Sequence, residues 1–189
     1  MNKGLLIVFC LTTLFLGCCG KTITVYDEGT EIATRKFGPS DLEKLGKGLM
    51  DKLRNCNDEW TRGMPRVAII DFRNDTDKPG LNKQPFFDVI ETGMFDMRKF
   101  DLIDYENSKM LLEEAGYQRM DAFDNNQAVE LGKALRARYV TWGDISLSSD
   151  VDAEGRALKR YRLSLKVTDV ETHRIVFRAT EAAQLKAVR

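Results

Sequence analysis

The chain is poor in the residues on which most enzyme sites depend. Its 189 residues include one histidine, four cysteines and four prolines. The single histidine, His173, falls in a predicted turn, so the sequence offers no nucleophile–histidine–carboxylate arrangement. The phosphate-binding pattern G-x-x-x-x-G-K is absent, and no Cys/His set has the spacing of a zinc site. These absences favour a non-catalytic protein that carries no metal and no cofactor.

The charge is balanced, with 29 basic and 29 acidic side chains. A chain without net charge gives no reason to expect a nucleic-acid partner. The charges are unevenly distributed, however, because residues 156–189 contain nine Lys or Arg and three acidic residues. The C-terminal part is therefore basic, and the rest of the chain is acidic.

The longest apolar run is GLLIVFCLTTLFL, at residues 4–16. It is shorter than the roughly 20 residues that span a bilayer as a helix. It follows Lys3 and ends at Gly17-Cys18, which is typical of a lipoprotein signal peptide cleaved before a lipidated cysteine. We therefore predict a signal peptide at 1–17, lipidation of Cys18 and anchoring in the membrane through the acyl chains. Cys19 as the acceptor and an ordinary secretory signal are the alternatives.

The remaining chain divides into a lipidated tether at 18–39 and one globular domain at 40–189. The tether reaches about 70–75 Å when fully extended. Cys19 and Cys56 remain after lipidation of Cys18. An oxidising periplasm would permit a disulfide between them, and two unpaired thiols are the other interpretation.

Four amphipathic helices are predicted, because apolar residues recur every three or four positions. Ser40 and Asp124 begin capping boxes, Pro85 suits a first helical turn, and Ser108 is a candidate N-cap. The predicted helices span residues 41–54, 85–99, 108–115 and 125–137.

Five strands are predicted in the domain, and one short strand at 22–26 in the tether. The first two of the five are predicted from short apolar runs. The fourth is predicted from a strict alternation of apolar and polar residues, which places Tyr161, Leu163, Leu165 and Val167 on one face. The five strands span residues 66–72, 100–104, 139–148, 160–168 and 175–185. This order predicts an α+β fold: a single mixed sheet with helices packed on one or both faces, ending in an antiparallel meander.

Two surface features have more than one interpretation. The sequence from Asp150 to Gly155 copies the opening of a calcium loop, but the twelfth position is Tyr161 instead of glutamate, so we interpret it as an acidic turn. If helices cover only the Tyr161 face, the opposite face is basic. That face is either a solvated surface or a docking face for an acidic protein. Its candidate partner-binding residues are Arg160, Arg162, Lys166 and Arg178.

Several segments in order resemble the penicillin-binding protein activator LpoB family. They are VAIIDFRNDT at 67–76, MFDMRKFDLIDY at 94–105, AVELGKALRARYVTWGDIS at 128–146 and LKVTDVETHRIVFRATE at 165–181. The family's N-x-T turn motif falls on Asn74 and Thr76. His173 and Phe177 depart from the family's usual Gly and Trp. The CsgG family and the amino-terminal domain of TolB look similar in the same regions.

The resemblance implies an outer-membrane lipoprotein that faces the periplasm and stimulates a bifunctional penicillin-binding protein. It implies no catalytic residues. Two alternatives remain open: a CsgG-like envelope assembly or secretion subunit, and a non-catalytic periplasmic scaffold. The first is disfavoured because the segment at 150–157 is too short to supply extra membrane strands.

Overall fold

The computed structural model describes residues 22–27, 30–32, 37–56, 58–118, 124–151 and 157–188. For residues 22–27, 30–32, 157 and 184–188 only the backbone is described. The predicted signal peptide and Cys18 lie outside the described residues. In the described part, no helix is long and apolar enough to cross a membrane.

The described chain forms four α-helices and one open mixed sheet, which confirms the predicted α+β fold. The helices are α1 (Pro39–Arg54), α2 (Gln84–Asp96), α3 (Tyr105–Glu114) and α4 (Asn125–Ala134). The strands are β1 (Thr22–Asp27), β2 (Thr30–Ile32), β3 (Arg66–Asp75), β4 (Asp101–Ile103), β5 (Tyr139–Val151), β6 (Ala157–Asp169) and β7 (Arg174–Val188). A short 3-10 helix at Glu59–Thr61 precedes β3.

The strand order is β2-β1-β7-β6-β5-β3-β4. β3 pairs in parallel with β4 and with β5, whereas β5, β6 and β7 form the predicted antiparallel meander. The five strands of the predicted domain, β3–β7, are thus contiguous. β1 and β2 form a hairpin that extends the sheet beyond β7, where the sequence predicted one short strand.

Each face of the sheet carries a pair of helices. Leucines of α1 and phenylalanines of α2 pack on the alternating apolar residues of β6, including Leu163 and Leu165. We call this the α1/α2 face. On the other side, Leu112 of α3 and Leu131 of α4 pack against Trp142 and the neighbouring strands. We call this the α3/α4 face.

Two predicted helix starts were wrong. α1 begins after Gly38 instead of Ser40, because Pro39 starts the helix and the Asp41 carboxylate accepts the Gly38 N–H at 2.8 Å. α3 begins after Asp104, whose carboxylate accepts the Asn107 N–H at 2.8 Å; Ser108 is buried inside that helix.

The cap of α4 was predicted correctly. Asp124 accepts the N–H of Gln127 at 2.9 Å. The helix ends earlier than predicted, at Ala134, where the next residue is its C-cap.

Candidate partner-binding face

The family turn motif at the end of β3 forms a closed set of hydrogen bonds. Asn74 Oδ1 accepts from the Thr76 N–H at 3.2 Å and from the Thr76 hydroxyl at 2.7 Å. Asn74 Nδ2 donates to the Lys78 carbonyl at 2.7 Å, and the Lys78 N–H donates back to Thr76 Oγ1 at 3.2 Å. The two side chains therefore hold the turn, and their polar atoms point inward along it.

This turn fastens the end of β3 to β6. The Asp77 carboxylate accepts from Lys159 Nζ at 2.5 Å and from the Tyr161 hydroxyl at 3.1 Å. The hydrogen bond from Lys159 lowers the pKa of Asp77. Burial, followed by the nearby Asp77 charge, raises the pKa of Tyr161 to about 12, so this phenol is a hydrogen-bond donor at neutral pH.

The same turn also reaches the residue before α1. Lys78 Nζ donates to the Phe37 carbonyl, and the Phe37 ring stacks on Tyr161 with centroids 3.9 Å apart. The turn motif thus joins β3, β6 and the start of α1, which is a structural role that the sequence resemblance alone did not reveal.

The sheet register brings the four predicted partner-binding residues onto the α3/α4 face. Directly paired residues share a face, and Lys166 pairs with Arg178 while Arg162 pairs with Ala182. Arg160, two residues before Arg162 on the same strand, points the same way. Arg160, Arg162 and Arg178 are exposed. Among the described side chains, none forms an ion pair with Arg162 or Arg178.

Lys166 differs from the three arginines. Its Nζ donates to Asp144 at 3.0 Å and lies 4.4 Å from the centroid of the Trp142 ring. Only 16% of its side chain is exposed. Lys166 is therefore mostly buried against Asp144 and Trp142, and the three exposed arginines form the basic surface.

The basic surface occupies only part of its face. Near α4, Thr168 is fully buried and its hydroxyl donates to Asn125 Oδ1 at 2.7 Å and accepts from Trp142 Nε1 at 2.9 Å. The basic face was predicted on the assumption that no helix covers this side of the sheet. That assumption holds for the region of Arg160, Arg162 and Arg178, and it fails beside α3 and α4.

The histidine and the cysteine have ordinary surroundings. His173 is exposed in the turn before β7, with a backbone φ of 59°. This left-handed conformation is the one glycine adopts without cost. The half-buried Cys56 thiol donates to Asp58 at 3.1 Å, and burial raises its pKa. Cys19 lies outside the described residues, so its predicted alternatives remain predictions.

No described group of three or more His, Cys, Asp or Glu side chains is arranged to hold a metal ion. The predicted acidic turn at 150–155 begins within β5, which continues to Val151, and its residues 152–155 lie outside the described residues.

Sequence reasoning missed two surface clefts. One, of about 580 Å³, is a surface cleft between α1 and α2, and Met50 and Val89 are among its lining residues. The other, of about 540 Å³, lies between the 3-10 helix and the start of β7, and is lined in part by Trp60, Tyr139 and Ile175. The second cleft is lined by segments that are far apart in the chain, so no local sequence pattern predicts it.

Comparison with known families and structures agrees with the fold described above. The sequence profile of the family described as "Peptidoglycan-synthase activator LpoB" matches residues 48–182. No curated protein sequence matches the chain significantly.

The similar solved structures include three of LpoB. The LpoB C-terminal domains from Escherichia coli and Salmonella enterica each have a TM-score of 0.55 and 17% identity, covering 75% of this chain and 97% of that domain. The NMR structure of E. coli LpoB has a TM-score of 0.54 and 17% identity, covering 76% of this chain and 67% of that one. At this identity the similarity shows a shared fold.

Proposed function

The chain belongs to the LpoB family of peptidoglycan-synthase activators, and from this we propose that it is an outer-membrane lipoprotein that binds and stimulates a bifunctional penicillin-binding protein. The family is regulatory and not catalytic. The observation that carries the proposal is the profile match, which extends from within α1 to within β7 and so includes most of the domain.

The surface that we assign to the synthase is the basic region formed by Arg160, Arg162 and Arg178. It is exposed, and it lies on β6, which pairs with β5 along one edge and with β7 along the other, and on β7 itself. Three exposed guanidinium groups on one face of the sheet favour an acidic protein surface, since guanidinium pairs strongly with carboxylates.

The position of β1 constrains how the domain meets the synthase. If Cys18 carries the lipid, four peptide units separate it from Thr22, the first residue of β1, and they reach about 14 Å at most. With β1 paired in the sheet, the domain lies close to the membrane. In this arrangement the synthase extends toward the outer membrane to meet it.

The direct test adds the purified domain, beginning after Cys19, to the bifunctional penicillin-binding protein of the same organism and follows glycan-chain polymerisation. We expect a clear rate increase. The double variant Arg160→Glu/Arg162→Glu should lose at least tenfold of the stimulation while keeping its unfolding midpoint.

The matched control is Lys47→Glu/Arg54→Glu, an equal charge change on the exposed side of α1, and it should stimulate normally. Equal loss in both double variants would show a non-specific charge effect. No binding and no stimulation by the unmodified domain would overturn the proposal, and a ring of many copies in solution would favour an assembly subunit instead.

A further inference from the structure

β7 has one edge that is only partly paired. Along its inner edge, β6 pairs with it from Arg174 to Lys186. Along its outer edge, β1 pairs only with Ala183–Val188. In the described part of the chain, no strand pairs with the outer edge from Arg174 to Ala182, so about half of a long strand has a free edge.

The direction of the backbone groups along this edge follows from one contact. Lys52 Nζ donates to the Thr180 carbonyl at 2.7 Å, so that carbonyl points away from β6. In an antiparallel strand the N–H and C=O of one residue point to the same side, and the side alternates along the chain. The N–H groups of Thr180 and Arg178 therefore point outward, where an additional strand would meet them.

The side chains beside the free edge define what could pair with it. Ile175 is 44% exposed, although it is apolar, and Val176 and Phe177 are half-buried. The cleft of about 540 Å³ opens beside Ile175 and Val176. An occupant with apolar side chains would cover these residues and enter the cleft.

The charges along the edge favour an acidic occupant over a second copy of this chain. Arg174 and Arg178 are both exposed, and residues 174–180 contain no acidic side chain. Antiparallel pairing of two such edges would bring four arginines to one seam, two on each face of the sheet, without a carboxylate from residues 174–180 of either strand, which is unfavourable. A partner strand with an acidic residue next to Arg178 would be complementary.

We propose that the outer edge of β7, from Arg174 to Thr180, accepts an extended segment of the synthase as an added strand, with acidic side chains beside Arg178 and apolar ones toward the cleft. This inference rests on the proposed function and names how the partner is held. Main-chain hydrogen bonds supply the affinity, and alternate side chains supply the specificity. Lys52, whose side chain is half exposed, releases the Thr180 carbonyl as the strand enters.

The test is amide hydrogen exchange of the labelled domain, with and without the purified bifunctional penicillin-binding protein. In the free domain, the outward Arg178 and Thr180 amides should exchange at least tenfold faster than the inward Ala179 amide. In the complex they should become protected by at least tenfold. Binding without this protection would overturn strand addition and leave the proposed function standing. Absence of both binding and stimulation would overturn the proposed function, and this inference with it.

A pair of variants tests the same point through affinity. Thr180→Pro removes an outward N–H without removing a bond to β6, which is where an edge strand tolerates proline. Thr180→Val keeps the N–H and is the matched control. We expect at least tenfold weaker binding for the proline variant and a change below twofold for the valine variant. Equal affinities would overturn strand addition. If the proline variant does not fold, the exchange measurement on the unmodified domain decides.

Discussion

Replacement of Asn74 by alanine should destabilise the domain by about 2–3 kcal/mol. The side chain makes three hydrogen bonds to described groups of Thr76 and Lys78. A typical intramolecular hydrogen bond contributes about 1 kcal/mol net, and the half-buried turn gives the released groups incomplete access to water. The loss also loosens the ties from Asp77 and Lys78 to β6 and to Phe37.

Urea unfolding followed by tryptophan fluorescence measures this change, with the free energy of unfolding taken by linear extrapolation. Asn74→Asp keeps the acceptor oxygen and loses the donor to the Lys78 carbonyl, so it should cost about 1 kcal/mol. Asn107→Ala, which removes one exposed side-chain hydrogen bond to Asp104, is the control and should change stability by less than about 0.5 kcal/mol.

Two results would refute this reasoning. An Asn74→Ala variant as stable as the unmodified domain would show that these hydrogen bonds do not hold the turn. A variant of normal stability that no longer stimulates the synthase would show that Asn74 is a contact residue for the partner, and not a turn-forming residue of the fold.

Three further predictions concern single side chains. Gly143→Ala should lower the free energy of unfolding by about 3 kcal/mol or more in urea titrations, because the new Cβ would overlap the backbone carbonyl oxygen of Ser164 and would also lie 2.5 Å from the Phe72 ring. Burial raises the pKa of Glu91 in the folded state. At pH values between the unfolded-state and folded-state pKa of this carboxyl, the folded protein keeps a proton that the unfolded chain releases, so the free energy of unfolding falls as pH rises through this range. Glu91→Gln should therefore increase stability at pH 7, with the gain vanishing below about pH 4; an equal gain at both pH values would contradict this. His173→Gly should raise the free energy of unfolding by about 0.5–1 kcal/mol, because it relieves a left-handed φ, and an unchanged thermal midpoint would show that the turn carries no such strain.

Local patterns were sufficient for most of the secondary structure. The strict alternation around Leu163 identified β6 and the face that it buries, and the Asp124 capping box located the start of α4. The starts of α1 and α3 were misplaced because several residues in each segment can cap a helix. The choice among them depends on where the preceding chain enters: Gly38 follows Phe37, which is held against Tyr161, and Asp104 directly follows β4.

For the candidate partner-binding face too, some properties were predictable from the local sequence and others were not. The basic character of the C-terminal strands and their alternation were readable from the sequence, because charge and period 2 are local properties. The pairing of Lys166 with Asp144, which removes it from the exposed basic surface, depends on the register of β5 against β6. No local pattern specifies that register to within one residue pair.

The sequence by itself determined the family, the fold class, the order of the strands in the meander and the sign of the charge on one face. These properties follow from hydrophobic periodicity and residue identity along the chain. Only the tertiary structure decided which part of that face α3 and α4 cover, where the cleft beside Trp60 forms and which half of β7 keeps a free edge. Each of these depends on contacts between distant segments, whose geometry is determined by packing and strand pairing in three dimensions.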